Sequence, residues 1–216
     1  MSWPLDCHLK ASFAGLRTER HLHTETRQEE IGRATLLFGQ PAYRRIVREI
    51  SADGYHWWTK AAHKRYGEVV LFVRRPNGKL LLHTKETYPE HTWRLPSGTL
   101  RKGESLLTGL QREAKEETGL DLAVERFLAV VEYEFRFRDS AIPFLSYCFL
   151  LQELGGQLQV QDPSEGISGF MEASVEDLLG VAVKLESLPG KRADWGQFRA
   201  YAHRLGHELL QKQAQT

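Results

Sequence analysis

Cysteine is scarce. The 216 residues include two, Cys7 and Cys148, too few for a disulfide framework, and that usage fits a reducing compartment. An excess of charge of either sign is missing too. Lys plus Arg number 29 and Asp plus Glu 28, a formal net charge of +1, so nothing in the total favours nucleic acid or an anionic membrane as the main partner. No apolar run approaches the ~20 residues of a membrane span. The opening Met-Ser-Trp-Pro-Leu-Asp lacks the basic-then-apolar order of a secretory signal. Internal repeats and low-complexity tracts are absent. These exclusions lead to the expectation of a cytoplasmic globular protein. With 41% hydrophobic and 26% charged residues, the chain is long enough to bury a core without a disulfide or metal staple.

The neutral total conceals an asymmetry. Residues 1–66 hold 11 Lys/Arg against 7 Asp/Glu, and residues 67–216 hold 18 against 21. The expected division is an N-terminal extension over 1–66 and a main domain over 67–216. In the extension, Ala42, Ile46 and Ile50 at a spacing of four after Pro41 predict a short helix, ended by Ser51-Ala52-Asp53-Gly54. Tyr55, Trp57 and Trp58 read as packing that docks this arm. In the main domain Val69 to Val73 reads as a buried strand. Arg75-Pro76-Asn77-Gly78 is a turn, because Pro fixes φ and Asn-Gly permits positive φ, and Leu80 to Leu82 begins the returning strand. Trp93-Arg94-Leu95 reads as a short strand before Pro96. A helix is expected over Gly103 to Thr118, closed by Gly119. Further strands are expected over Arg126 to Arg138, Phe144 to Leu151 and Ile167 to Met171, and a short helix over Ser174 to Leu179. Trp195, Phe198, Ala202, Leu205 and Leu209 make a stripe at helical spacing, a last helix over about 192–213. Its stripe reads as core packing, with a homodimer interface as the alternative. The order predicts an α+β chain, an α/β/α sandwich.

The central helix carries the chemistry. At about 100° per residue, Glu113, Glu116 and Glu117 fall within about 100° of arc, beside the apolar face of Leu106, Leu107, Leu110 and Ala114. Clustered carboxylates repel unless a cation lies between them, and oxygen-only ligands select a hard ion, Mg²⁺ or Mn²⁺, that binds together with substrate phosphates. The competing account is a solvated salt-bridged face, which an Arg112–Glu116 pair at i, i+4 would serve. Pro96-Ser97-Gly98 and Gly103 shift the balance toward a site, since such a loop offers carbonyls to a metal and amides to phosphate.

Gly98, five residues, Glu104, seven residues, then Arg112-Glu113-Ala114-Lys115-Glu116-Glu117-Thr118-Gly119-Leu120 resembles the Nudix box, with every fixed position met. The seven identity positions should co-occur by chance in only about one chain in a million of this length. The hairpin before the box and the strands after it resemble the Nudix order as well, which implies the Nudix fold, a mixed β-sheet between helices. The resemblance implies that Glu113, Glu116 and Glu117 hold divalent cations and orient or deprotonate water, and that Arg112 holds the carboxylates in position. It implies that Glu104 bonds or ligates across the site and that the Ser97 carbonyl is a metal ligand. The implied reaction is attack by water on a phosphorus of a nucleoside diphosphate linked to another moiety X, with Mg²⁺ and, in second place, Mn²⁺ as the ion.

Two placements of the general base stay open: Glu113 or Glu117 of the box, or Glu165 in the loop Asp162-Pro163-Ser164-Glu165-Gly166, which could move onto substrate. Glu132 and Glu134 share the polar face of their strand and read as solvent-facing. Tyr88, Arg94 and Gly98 are the candidate substrate contacts, Tyr88 by stacking on a base. His203 and His207 lie at i, i+4 but lack a third ligand, so they read as surface histidines, and His21 and His23 are equally weak. Cys148 reads as a buried small hydrophobe. The side motifs of coenzyme A, ADP-ribose and NADH hydrolases are not found. Two alternatives accompany the hydrolase reading, a non-catalytic nucleotide-sensing Nudix protein and an enzyme like isopentenyl-diphosphate isomerase, a family that departs from the complete box.

Overall fold

A computed structural model describes residues 26–62 and 67–212. Cys7, His21 and His23 lie outside the described residues. Helix α1 (Arg27–Phe38) opens on a capping box, with the Thr26 hydroxyl accepting from the Glu29 amide and the Glu29 carboxylate accepting from the Thr26 amide. Strand β1 (Ala42–Glu49) and helix α2 (Ala52–Ala62) follow. Strands β2 (Glu68–Arg74), β3 (Leu80–Lys85) and β4 (Ser97–Thr99) precede helix α3 (Leu106–Thr118). The long hairpin β5 (Leu120–Phe137) and β6 (Ser140–Gly156) comes next. Strand β7 (Ile167–Ala173), helix α4 (Asp177–Glu186) and helix α5 (Ala193–Gln211) complete the described chain.

The expected helix at 41–50 is corrected by β1. Its burial alternates strictly along Ala42–Glu49, and it pairs parallel with β5 from Ala42 opposite Ala129 to Glu49 opposite Arg136. The i, i+4 spacing of Ala42, Ile46 and Ile50 is a multiple of two as well as close to one helical turn, so it satisfies either period. Parallel pairing with β5 decides for the strand. The helix begins where the sequence was read as ending it. Ser51 Oγ accepts from the Gly54 amide, and α2 carries Trp57 and Trp58.

The sheet runs β1-β5-β6-β2-β3-β7, with β4 paired to β2. It is mixed: β1 with β5 and β2 with β6 are parallel, and the other pairs antiparallel. Alternation along the central strands sorts side chains into two layers. Val69, Leu71 and Val73 of β2 join Tyr147, Phe149 and Leu151 of β6 beneath α1 and α3. Val70 and Phe72 join Cys148 and Leu150 beneath α2, α4 and α5. This is the expected α/β/α sandwich. Trp58 anchors the second layer, 1% exposed, stacked 4.0 Å from Phe135 and edge-on to Phe144 and Phe198. The docking role read for the aromatics of 55–58 is carried by Trp58 and by Tyr55, stacked 5.0 Å from Phe137.

Candidate active site

Helix α3 starts three residues later than expected. Gly103 takes φ +76°, outside helical geometry, and Ser105 caps the helix by accepting from the Thr108 amide. Gly119 closes it in the left-handed conformation, φ +70°. Its buried face runs Leu106, Gly109, Leu110, Glu113, Ala114, Glu117, so two box carboxylates lie in the apolar stripe itself. Gly98 leaves room for the Glu113 carboxylate in its present position. A Cβ there would come within 1.8 Å of the Glu113 carboxyl carbon, so the strand β4 backbone and that carboxylate lie in direct contact.

Arg112 organises the carboxylates. Its Nε and Nη2 donate to the two oxygens of Glu104, at 2.7 and 2.8 Å. Its Nη1 donates to Glu113 at 2.7 Å and Glu116 at 2.8 Å, and Nη2 also donates to the Thr99 carbonyl. Both Glu104 oxygens thus accept from Arg112, a bond across the site. Burial pushes Glu104 up, but the Arg112 hydrogen bonds and the Arg101 amide outweigh it and leave the carboxyl below its ordinary range.

Glu165 reaches this cluster. The segment before it satisfies carbonyls at the end of α3: the Gln161 amide donates to Glu116 O and the Gln159 amide to Thr118 O. The Glu86 amide donates to Gly166 O from the other side. Oxygens of Glu113, Glu116 and Glu165 then lie within 4.8 Å of one another, a group that could hold a cation. Glu117 lies deeper, 0% exposed, and neither of its oxygens has a hydrogen-bond partner. Lys85 Nζ stands 3.6 Å from Glu117 and 2.6 Å from Glu165. Burial raises Glu117 to about 7, helped by Glu113 and Glu165 and opposed by Arg94 and Lys85. Burial raises Glu113 as well, against the Arg112 hydrogen bond. A buried carboxylate that accepts no hydrogen bond, beside three clustered ones, all hard oxygen donors, fits a divalent cation of the Mg²⁺ class.

Other candidates are placed differently. Arg94, expected to touch substrate, is 3% exposed, and its guanidinium donates to Tyr88 Oη, Leu95 O and Ser97 Oγ. It therefore braces the loop from inside. Tyr88 has its ring 4.9 Å from Trp195 and within cation–π reach of Arg94 and Arg192, which commits it to the α5 side. Glu134 pairs with Arg45 of β1 and with Arg136, and Glu132 is exposed. The surface reading of His203 is corrected: it is 1% exposed and hydrogen-bonded within the fold. Sequence reasoning passed over Lys85, Glu68 and Arg199. For Glu68 the available signal was a charged residue opening the apolar run Val69 to Val73, whereas Lys85 and Arg199 carried none.

The profile of the NUDIX domain matches residues 64–195. An ADP-ribose pyrophosphatase of Methanocaldococcus jannaschii is 29% identical over 134 residues, 62% of this chain and 76% of that protein. The 8-oxo-dGDP phosphatase NUDT18 of Homo sapiens is 28% identical over 103 residues, 48% of this chain and 30% of that protein, so the chain spans under a third of that relative. A solved Nudix hydrolase from Nitrosomonas europaea is 18% identical, with a TM-score of 0.48, over 67% of this chain and 90% of that one. The complete box, seated on α3 with its arginine gathering its glutamates, and a domain match across residues 64–195 place this chain in the Nudix family, hydrolases of pyrophosphate bonds.

Proposed function

We propose that the protein hydrolyses a nucleoside diphosphate linked to another moiety X, using Mg²⁺, or Mn²⁺ in its place. The observation that carries this reading is the set of buried and half-buried carboxylates at one point, Glu113, Glu116 and Glu165 within 4.8 Å, with Glu117, whose oxygens accept no hydrogen bond, beneath them. Glu113, Glu116, Glu117 and the Ser97 carbonyl would hold the ion. When bound, such an ion neutralises a diphosphate, polarises its P–O bonds and lowers the pKa of the attacking water. The chain itself supplies position and charge. Arg112 fixes the orientation of Glu113 and Glu116. Glu165, on a loop tied to α3 and β3, takes the proton of the attacking water as the P–O bond of the diphosphate breaks, with Glu113 and Glu117 as the other candidates for that step. Lys85, between Glu117 and Glu165, balances the carboxylate charge and lies where an incoming phosphate oxygen would meet a cation. The two relatives act, by their names, on ADP-ribose and on 8-oxo-dGDP, both of which contain a diphosphate.

The test is a panel of ADP-ribose, oxidised and ordinary nucleoside di- and triphosphates, dinucleoside polyphosphates and nucleotide sugars, each with Mg²⁺ and Mn²⁺, scored for phosphate-bearing products. Turnover of one class, abolished by Glu116→Gln, is the expected result. Binding of a nucleotide without hydrolysis of any member would turn the reading toward sensing. Rearrangement without product release would turn it toward an isomerase.

A further inference from the structure

Helix α5 presents a line of side chains to the segment that leads into the box. Arg192, just before the helix, donates to the Thr87 carbonyl, and Trp195 packs on Tyr88. One and two turns further on, the contacts become hydrogen bonds. Arg199 Nη1 donates to Ser97 Oγ at 2.9 Å and to Glu68 Oε2 at 2.6 Å. His203 Nε2 takes the Leu95 amide at 3.0 Å, and its Nδ1 lies 2.9 Å from the Arg199 carbonyl. A carbonyl can only accept and a backbone amide can only donate. The ring is therefore the neutral Nδ1–H tautomer, and its Nε2 lone pair is the acceptor for Leu95. Burial, together with Arg94 and Arg199, lowers the ring to about 4 against the pull of the Arg199 carbonyl, which keeps it in that form.

The Ser97 hydroxyl is held from three directions. It accepts from Arg94 at 2.8 Å and from Arg199, and donates to Glu68 at 3.4 Å. Glu68 is held in turn by Ser146 at 2.9 Å. A hydroxyl has one proton and two lone pairs, so all its capacity is used. Leu95 and Ser97 are thereby pinned on both sides of Pro96, at the entry to the Ser97–Gly98 peptide, which β4 pairs with β2. Arg199 and His203 both lie past residue 195, where the NUDIX-domain match ends.

We propose that α5 is a working part of the site: His203 and Arg199 are positioning residues that fix the 95–97 segment and hold the Ser97 carbonyl where it meets the cation. The inference rests on the metal-dependent reading above, and its test separates the two. Mn²⁺ is titrated into the full chain without substrate and the free ion is read by electron paramagnetic resonance, for wild type, His203→Leu, His203→Gln, Arg199→Met and Glu113→Gln, with a melting curve for each. His203→Leu should bind Mn²⁺ about 10-fold to 100-fold more weakly, the range for residues that orient metal ligands. His203→Gln, whose amide oxygen can take the Leu95 N–H, should recover most of that loss, and Arg199→Met should weaken binding in the same range. If His203→Leu does not fold, Arg199→Met and the Gln variant still decide the matter. Variants that fold with a lowered melting point but wild-type Mn²⁺ affinity would overturn the inference, because they would show α5 as packing alone. If Glu113→Gln then still loses Mn²⁺, the hydrolase reading stands. Wild-type protein that takes no Mn²⁺ at millimolar concentration would remove both.

Discussion

Replacing Glu117 by Gln should make the metal-free protein's stability less sensitive to pH while destroying its activity. Glu117 is fully buried, its oxygens lack hydrogen-bond partners, and burial moves it from the ordinary 4.5 to about 7. The folded state thus binds this proton more tightly than the unfolded chain does. Its stabilising contribution is complete below 4.5 and is lost as the pH rises through about 7. The interval corresponds to about 3 kcal/mol for a group this buried. Glutamine has nearly the same shape and does not ionise. Its unsatisfied amide costs the same at every pH, so it shifts the variant's curve without changing the slope. The assay is urea unfolding in EDTA, followed by tryptophan fluorescence, since Trp58 is buried. Between about pH 5 and pH 8 the wild type should lose about 3 kcal/mol relative to Glu117→Gln. Adding Mg²⁺ at the upper pH should return most of that loss to the wild type and stabilise the variant, which keeps Glu113, Glu116 and Glu165, by less. Parallel profiles for the two proteins would refute the argument, because they would mean that Glu117 is solvated or that Lys85 and Arg94 offset its burial in full.

Gly98→Ala should displace the Glu113 carboxylate, 1.8 Å from the added Cβ, and cut turnover at least about 100-fold, a loss of about 3 kcal/mol in barrier, with circular dichroism unchanged; wild-type turnover would show that β4 can yield. Glu165→Gln should remove the acidic limb of the pH–rate profile if Glu165 is the base, and leave that limb in place if Glu113 or Glu117 is. Trp58→Ala should cost about 3–5 kcal/mol, read as a lower urea midpoint, since the ring stacks on Phe135 and meets Phe198 of α5; a loss under about 1 kcal/mol would mean that α2 is not part of the cooperative unit.

The box was legible because its glycines and charges carry a steric and electrostatic reason at each position. Gly119 was read as a cap and is one, and Arg112 gathers the glutamates as the resemblance implied. Elements whose periods are ambiguous were not legible. The spacing of Ala42, Ile46 and Ile50 fits a helix or a strand, and only β5, some 87 residues further along at Ala129, decides for the strand. Glu165 could be named but not placed, since its approach depends on backbone bonds to the last carbonyls of α3. His203 was misread for a related reason. Its spacing to His207 suggested a surface pair, whereas the partner that matters is a backbone amide on a distant loop, and amides leave no trace in a residue pattern.

That partnership has a consequence for synthesis. The Leu95 amide meets its acceptor 108 residues later, and Ser97 meets Arg199 102 residues later. A ribosome therefore completes the glutamate helix, and the strands around it, well before the groups that hold the entrance to that helix exist. Contacts of such sequence separation form late and limit the folding rate. On the proposed role of α5, the acidic helix is synthesised before its brace, and the site is complete only once α5 has docked, rather than in proportion to the length of chain made.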